Sequence, residues 1–175
     1  ISHKLKWAPR YMDRVRRMDF RDRTQPSIIM WSLGNESWGY KCHDKCYEML
    51  KELTDIPVHY EGVCRTRRYH YDVFSEMYTH QDDLIKIREG KRGKQYKEVP
   101  FYLCEYCHAM GLGPGDLKQY WDLIYANDHF FGGCVWEMID HSVATGEDIY
   151  RDPHYVYGGD FGDFPHDGNF CVDGL

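Results

Sequence analysis

Two glutamates, Glu36 and Glu105, each follow an apolar run of strand length. Residues 27–33 precede Glu36, separated from it by Gly34 and Asn35, and residues 99–104 directly precede Glu105. Hydrolysis of a glycosidic bond with retention requires two carboxyl groups about 5–5.5 Å apart, one to protonate the leaving oxygen and one to attack the anomeric carbon. The two glutamates are therefore a candidate acid/base and nucleophile.

A structural role is the alternative for both side chains. Each glutamate could pair with a nearby Arg or Lys and do no more than close the end of its strand. Glu76 and Glu137 also lie in or near predicted strand ends. We treat these two as weaker candidates, because a carboxylate at such a position often just orients a neighbouring side chain.

The elements that position these residues follow from the apolar pattern. Helical spacing of apolar residues predicts helices around residues 7–18, 46–53, 84–87 and 117–125. Continuous apolar runs predict five strands, at residues 27–33, 57–60, 73–78, 99–104 and 132–136, and residues 90–97 are expected to form a loop. Strands that alternate with helices in this way predict a parallel sheet covered on both faces.

The fold class is α/β, and two architectures fit the alternation. An open doubly wound sheet is possible, but Glu36, Tyr78, Glu105 and Glu137 all fall at or just past the carboxyl end of a predicted strand. In a (β/α)8 TIM barrel this rim is the active-site face. We therefore predict that residues 1–175 form the C-terminal part of a catalytic TIM barrel, about strands four to eight, with the first part of the barrel expected upstream of Ile1.

Composition argues against several kinds of partner. The formal net charge is -6, and the basic clusters at residues 14–17, 65–68 and 86–94 are short, so we expect no nucleic-acid partner. No apolar run approaches the roughly 18 residues of a membrane span, and no signal peptide is recognisable. The 7 cysteines are an odd set without the density of a disulfide scaffold, so reduced thiols and a cytoplasmic location are the simplest expectation.

Four collinear segments carry a specific family resemblance. They are PSIIMWSLGNES at residues 26–37, LCEYCHAMG at 103–111, GGCVWE at 132–137 and YGGDFGD at 157–163. Together they resemble glycoside hydrolase family 2, in its bacterial β-galactosidase branch, and the similarity runs from about Trp7 to Leu175. The resemblance implies retaining hydrolysis of terminal β-galactosides such as lactose, by a full-length protein that forms a homo-oligomer.

The resemblance also assigns roles. Glu36 matches the acid/base, Glu105 the nucleophile, and Asn35 a residue that hydrogen-bonds the sugar 2-hydroxyl. Tyr78 matches a residue that contacts the nucleophile, and His108 matches a residue that binds sugar hydroxyls. Trp136 matches the residue that forms the floor of the sugar pocket. From pattern alone, Trp136 would be interpreted as a core ring and His108 as a loop histidine with local partners.

Two metal ions are implied by the resemblance. Magnesium would bind Glu36 together with a Glu and a His expected upstream of Ile1, so its site is incomplete in this chain. Sodium would bind the carbonyl of Phe170 and the side chain at Asp173, where an Asn is usual. The sequence departs from the family at two further places: Trp38-Gly39-Tyr40 replaces a small turn, and Leu112 replaces an Asn.

Other interpretations remain open. Cys104 and Cys107 have the spacing of a redox or zinc motif, although no second pair of ligands follows at metal spacing. Asp160, Asp163 and Asp167 lie among glycines but lack the regular spacing of a calcium loop. A different class of function is that the chain by itself is a non-catalytic piece, which binds sugar weakly or serves as an assembly unit through unpaired strand edges.

Overall fold

The computed structural model describes residues 1–66 and 71–175, so Arg67 and Arg68 of one basic cluster lie outside the described residues. After a 3-10 helix at Leu5–Trp7, the helices are α1 Ala8–Asp22, α2 Lys41–Leu53, α3 Val63–Thr66, α4 Gln81–Arg88, α5 Gln95–Glu98 and α6 Leu117–Tyr125. The strands are β1 Trp31–Ser32, β2 Val58–His59, β3 Phe74–Met77, β4 Phe101–Tyr106, β5 Phe130–Val135, β6 Val143–Thr145 and β7 His154–Val156.

Strands β1 to β5 follow one another in space in the same order as in the chain. β1 pairs in parallel with β2, and β4 pairs in parallel with both β3 and β5. A parallel bridge between His59 and Val73 joins the two groups. The result is a series of five parallel strands with intervening helices, which confirms the predicted α/β class and is the arrangement found along part of a TIM barrel.

The antiparallel hairpin of β6 and β7 was not predicted. Val143 pairs with Val156 and Thr145 with His154, after the last parallel strand. Neither hairpin strand contains a buried residue, so both lack the continuous apolar pattern by which the five inner strands were recognised.

The predicted strand at residues 27–33 is much shorter in the structure. Regular pairing covers Trp31 and Ser32, and Ile29 is 66 % exposed. The backbone N–H groups of Trp31 and Leu33 donate to the carbonyls of Pro57 and His59 and hold the run beside β2. The first half of this apolar run therefore precedes the strand, with Ile29 exposed and Ile28 packed against the core.

The predicted loop at residues 90–97 is wrong in its second half, where α5 begins. Tyr96 on this helix is buried; its ring packs at 4.8 Å from the ring of Phe74, and its hydroxyl bonds to Glu76. Burial of one ring against β3 thus orders a short helix in a segment rich in charge and glycine. Burying a large apolar side chain typically contributes about 1.5–3 kcal/mol.

The core lies between the parallel strands and the helices that cover them. It includes Leu50 of α2, Val58 of β2 and Leu103 of β4, each at most 1 % exposed. Because parallel strands all point the same way, their carboxyl ends meet at one rim, and β3, β4 and β5 end there at or near predicted site residues. None of the helices in residues 1–66 and 71–175 has both the length and the apolar character of a membrane span.

Candidate active site

A polar cavity of about 220 Å³ lies at the carboxyl ends of β1, β2 and β4. Its lining residues are Ser32, Gly34, Asn35, His59, Glu61, Tyr102, Cys104 and Glu105. Asn35 and Glu105, which were predicted from separate strands, therefore share one cavity. Glu36 follows Asn35 directly, and its charge is close enough to act on the pKa of Glu105.

Glu105 is held by Tyr78 through two hydrogen bonds. The Tyr78 hydroxyl donates to Oε2 of Glu105 at 2.9 Å, and the Tyr78 backbone N–H donates to the Glu105 carbonyl oxygen at 2.7 Å. The parallel pairing of β3 with β4 brings the two together, since Met77 lies opposite Glu105 after an irregularity in register. Tyr78 has a φ of 52°, in the left-handed region that non-glycine residues seldom adopt.

The surroundings of Glu105 have opposing effects on its protonation. Burial raises the pKa of the Glu105 carboxyl, the hydrogen bond from Tyr78 lowers it, and the charges of Glu36 and Glu61 raise it further. Burial and the Glu105 carboxylate also raise the pKa of Tyr78. Tyr78 is therefore a neutral donor at neutral pH, and its hydrogen bond favours the ionised form of Glu105.

Glu36 lies on an exposed turn that follows β1. Its φ is 44° and that of Trp38 is 53°, so two non-glycine residues of one turn are in the left-handed region. The hydroxyl of Ser2 donates to the carbonyl of Ser37 at 2.7 Å, which fixes the turn from outside. Strained residues of this kind persist when the surrounding structure holds them, and they cluster at functional sites.

A second group of predicted residues surrounds Asp173, which is 1 % exposed. The indole Nε1 of Trp136 donates to Oδ2 of Asp173 at 3.1 Å, and Nε2 of His108 lies 3.9 Å from the same oxygen. The His108 ring is centred 5.9 Å from the ring of Tyr78 and 5.6 Å from that of Phe170. Tyr78 thus connects this group to Glu105.

Glu61 was missed by the sequence analysis, although it follows the predicted strand at residues 57–60 just as Glu105 follows its own. It is 2 % exposed, lines the cavity, and binds Nη1 of Arg65 through Oε2 at 2.5 Å. Its Oε1 has no hydrogen-bond partner among the described residues. The same strand-end rule that selected Glu105 would have found it.

His59 is a second missed residue of the cavity wall. It is 5 % exposed, and its Nδ1 lies 3.0 Å from the hydroxyl of Ser75. Burial lowers the pKa of His59 to about 4, so the ring is neutral at physiological pH and does not offset the charges of the nearby carboxylates.

The two weaker carboxylate candidates have local partners. Glu76 accepts hydrogen bonds from Thr79 and Tyr96, and Glu137 lies 3.0 Å from Nε2 of His141. Cys107, from the possible redox or zinc motif, donates to the carbonyl of Gly115. These contacts fit structural roles at all three positions.

The metal ions implied by the resemblance fit the described residues unequally. Within residues 1–66 and 71–175, no three or more His, Cys, Asp or Glu side chains form a group that could hold a metal ion, so Glu36 lacks the companions that a magnesium site needs. Asp173 is different, because its Oδ1 is buried without a hydrogen-bond partner among these residues. An orphaned carboxylate oxygen is a suitable ligand for a hard cation such as sodium.

The model of the glycosyl hydrolases family 2 TIM barrel domain matches residues 1–175. The chain is 42 % identical over 175 residues to the β-galactosidase of Priestia megaterium, covering 98 % of this chain and 16 % of that protein. It is 40 % identical over 182 residues to the β-galactosidase of Staphylococcus xylosus, covering 100 % of this chain and 18 % of that protein.

Similarity in fold extends further than similarity in sequence. The crystal structure of Ruminococcus gnavus β-glucuronidase matches 80 % of this chain and 30 % of that chain, with a TM-score of 0.52 and 17 % identity. At this identity the match concerns the fold. The chain spans less than a fifth of the length of the β-galactosidases named above.

Proposed function

This chain belongs to glycosyl hydrolase family 2, within its TIM barrel domain, and we propose that it carries the catalytic carboxylates of a retaining β-galactosidase. Glu105 is the nucleophile and Glu36 the acid/base. The observation that carries this proposal is the direct hydrogen bond from Tyr78 to Glu105, beside a cavity that also contains Asn35. The choice of galactoside as substrate is supported by the names of the relatives.

The first chemical step forms a glycosyl ester. The carboxylate of Glu105 attacks the anomeric carbon while the glycosidic C–O bond breaks, and Glu36 gives its proton to the departing oxygen. In the second step the ionised Glu36 takes a proton from water. The water oxygen attacks the anomeric carbon, the bond to Glu105 breaks, and the sugar leaves with its original anomeric configuration.

The neighbouring residues position the reacting groups. Tyr78 donates a hydrogen bond to Glu105, which steadies the carboxylate before attack and stabilises it again as the ester breaks. Trp136 offers a ring face to the sugar, with its indole N–H anchored on Asp173. Asp173 and the Phe170 carbonyl would hold a sodium ion, which would offer a positive centre to a sugar hydroxyl.

Substitution of the two glutamates tests the assignment. The variants are best made in the longest natural polypeptide that contains residues 1–175, hereafter the carrier polypeptide. Glu105→Gln should lower kcat for every β-galactoside by several decades, because the covalent route is lost. Glu36→Ala should lower the rate of hydrolysis far more for substrates with poor leaving groups than for 2,4-dinitrophenyl β-galactoside, whose leaving group departs without a proton.

The matched control is Glu52→Gln, on the exposed face of α2. This variant should leave kcat unchanged for substrates with poor leaving groups and for 2,4-dinitrophenyl β-galactoside. Turnover of Glu105→Gln close to that of the unaltered protein would overturn the assignment of the nucleophile. A uniform loss across leaving groups in Glu36→Ala would overturn that of the acid.

A second candidate function is that the chain acts as an assembly unit without activity of its own. The observation that favours it is the exposure of apolar side chains at the two ends of the parallel series. Ile29, before β1, is 66 % exposed, and Phe131, in β5, is 41 % exposed. Unpaired strand edges with apolar side chains favour association. Incubation of the purified 175-residue chain with a chromogenic β-galactoside separates the two, since turnover supports the first and a folded, inactive chain the second.

A further inference from the structure

Trp38 is a large aromatic side chain that the proposed mechanism does not use. It lies two residues after Glu36, in the turn that follows β1, and it is 72 % exposed. Leaving an indole ring in water has no benefit for folding, since the same ring would be stabilising if buried. An exposed ring on the turn of a candidate acid/base is therefore a candidate ligand contact.

The turn that carries Trp38 is fixed on both sides. The Ser2 hydroxyl donates to the Ser37 carbonyl at 2.7 Å, and the Tyr60 hydroxyl donates to the Gly39 carbonyl. Gly39 is packed so closely that a Cβ atom there would lie 2.5 Å from Cβ of Ser2. The ring therefore projects from a backbone whose position is already determined, as pre-organised binding requires.

Arg65 supports the ring from one side. Its guanidinium carbon lies 4.8 Å from the centre of the Trp38 ring, a cation–π distance. Arg65 is in turn anchored to Glu61, a residue buried in the wall of the cavity. Burial lowers the pKa of Arg65, but the carboxylate of Glu61 and, to a smaller extent, that of Glu36 hold it above its usual value. Trp38, Arg65 and Glu61 thus form a continuous link from the rim to the cavity.

The chemistry of the reaction indicates which part of the substrate lies beside Trp38. A general acid must stand within hydrogen-bond reach of the atom that it protonates, so the leaving group lies on the Glu36 side of the cavity. Building on the proposed function, we propose that Trp38, supported by Arg65, is the platform on which the leaving group stacks. An aromatic ring, or the apolar C–H face of a second sugar, is the class of leaving group that it would take.

Kinetics with two leaving groups test this platform. In the carrier polypeptide, kcat/KM is measured for 4-nitrophenyl β-galactoside, which has a ring to stack, and for β-galactosyl fluoride, which has none. Trp38→Ala should lower kcat/KM for the nitrophenyl substrate about 3–10-fold, the usual worth of a stacked ring pair, and change it less than about twofold for the fluoride. Trp38→Phe should lie between the two.

Phe20→Ala provides a matched control. The Phe20 ring on α1 is 53 % exposed, and the guanidinium of Arg23 lies 4.7 Å from its centre, so it reproduces the arginine–ring pair away from the rim. This variant should not change the ratio between the two substrates. An equal loss for nitrophenyl and fluoride substrates in Trp38→Ala would overturn the proposal in favour of a structural role, and so would no loss with either.

Binding without turnover separates this inference from the proposed function. Phenyl β-thiogalactoside should bind about 3–10-fold more tightly than methyl β-thiogalactoside, and Trp38→Ala should remove the difference. If the unaltered protein shows this preference and Trp38→Ala removes it, but no galactoside is hydrolysed, the proposed function fails and the platform stands. If it hydrolyses galactosides and Trp38→Ala retains the phenyl preference, the platform fails. A protein that binds neither compound contradicts both.

Discussion

The hydroxyl of Tyr78 lies 2.9 Å from Oε2 of Glu105, and the backbone N–H of the same tyrosine binds the carbonyl of the same glutamate. Two adjacent parallel strands are thus joined at their ends by both a side-chain and a main-chain contact. The main-chain contact fixes the spacing of the strands, and the side-chain contact lowers the pKa of Glu105 against the opposing effect of burial. The two functions can be separated, because a substitution at the hydroxyl leaves the backbone bond in place.

Tyr78→Phe should raise the pKa of Glu105, since the hydrogen bond that it removes lowers that pKa. Glu105 attacks as the anion, so the acid limb of the kcat/KM profile should move to higher pH. At neutral pH the lost bond to a charged group should reduce kcat/KM about 10–100-fold. Tyr125→Phe, which alters an 82 % exposed ring on α6, is the control. An acid limb that stays in place in Tyr78→Phe would contradict the assigned role.

Glu105→Gln should make the fold more stable at neutral pH while it removes activity. Burial raises the pKa of Glu105 above its unfolded value, so the contribution of this group to stability is complete below the unfolded pKa and is lost as pH rises through the folded pKa. The variant should therefore gain up to about 1 kcal/mol in unfolding free energy at pH 7.5, allowing for solvent at a half-buried group.

Denaturant unfolding of the 175-residue chain at pH 7.5 and at pH 4 measures this gain. The difference in unfolding free energy between Glu105→Gln and the unaltered chain should shrink towards zero at pH 4. Glu52→Gln should show no such difference at either pH. A destabilised Glu105→Gln at pH 7.5 would contradict the electrostatic account of the site.

Asp19→Ala should stabilise the chain by about 1–2 kcal/mol. Asp19 is 0 % exposed on α1, and neither carboxylate oxygen has a hydrogen-bond partner within the described part of the chain. Arg23 approaches no closer than 3.9 Å. Removing a buried charged group without hydrogen bonds, and placing alanine in a helix, both favour folding. Asp13→Ala, which breaks an exposed ion pair with Arg17 on the same helix, should change stability by less than about 0.5 kcal/mol. A melting temperature of Asp19→Ala below that of Asp13→Ala would contradict this prediction.

Trp136→Phe should cost about 1.5–3 kcal/mol of stability, because it removes the hydrogen bond donated to the buried carboxylate of Asp173. Trp121→Phe is a matched comparison, since its indole donates at 2.8 Å to the hydroxyl of Tyr106, an uncharged acceptor. Its cost should be nearer 1 kcal/mol. Equal losses of unfolding free energy in chemical denaturation would contradict the stronger hydrogen bond predicted between Trp136 and Asp173.

The sequence was sufficient to find the strand ends and one contact between them, but not the contacts that depend on the loops. Apolar runs located the three long inner strands, and the rule that parallel strands end at one rim brought Glu105 and Tyr78 together. The contact of Trp136 with Asp173 depends on the path of the chain after β5, which includes a hairpin whose exposed strands carry no clear period. The role of Arg65 was hidden for a similar reason, because a four-residue helix after β2 directs it towards both Glu61 and Trp38.

Covalent trapping tests the central assignment most directly. The carrier polypeptide is incubated with 2,4-dinitrophenyl 2-deoxy-2-fluoro-β-galactoside, digested, and the modified peptide is located by mass spectrometry. The fluorine slows the release of the sugar from the nucleophile while the activated leaving group allows its transfer, so the ester should accumulate on Glu105. A galactosyl label on Glu105 is the predicted result. A label on another residue, or no label in a preparation that hydrolyses β-galactosides, would contradict the double-displacement account.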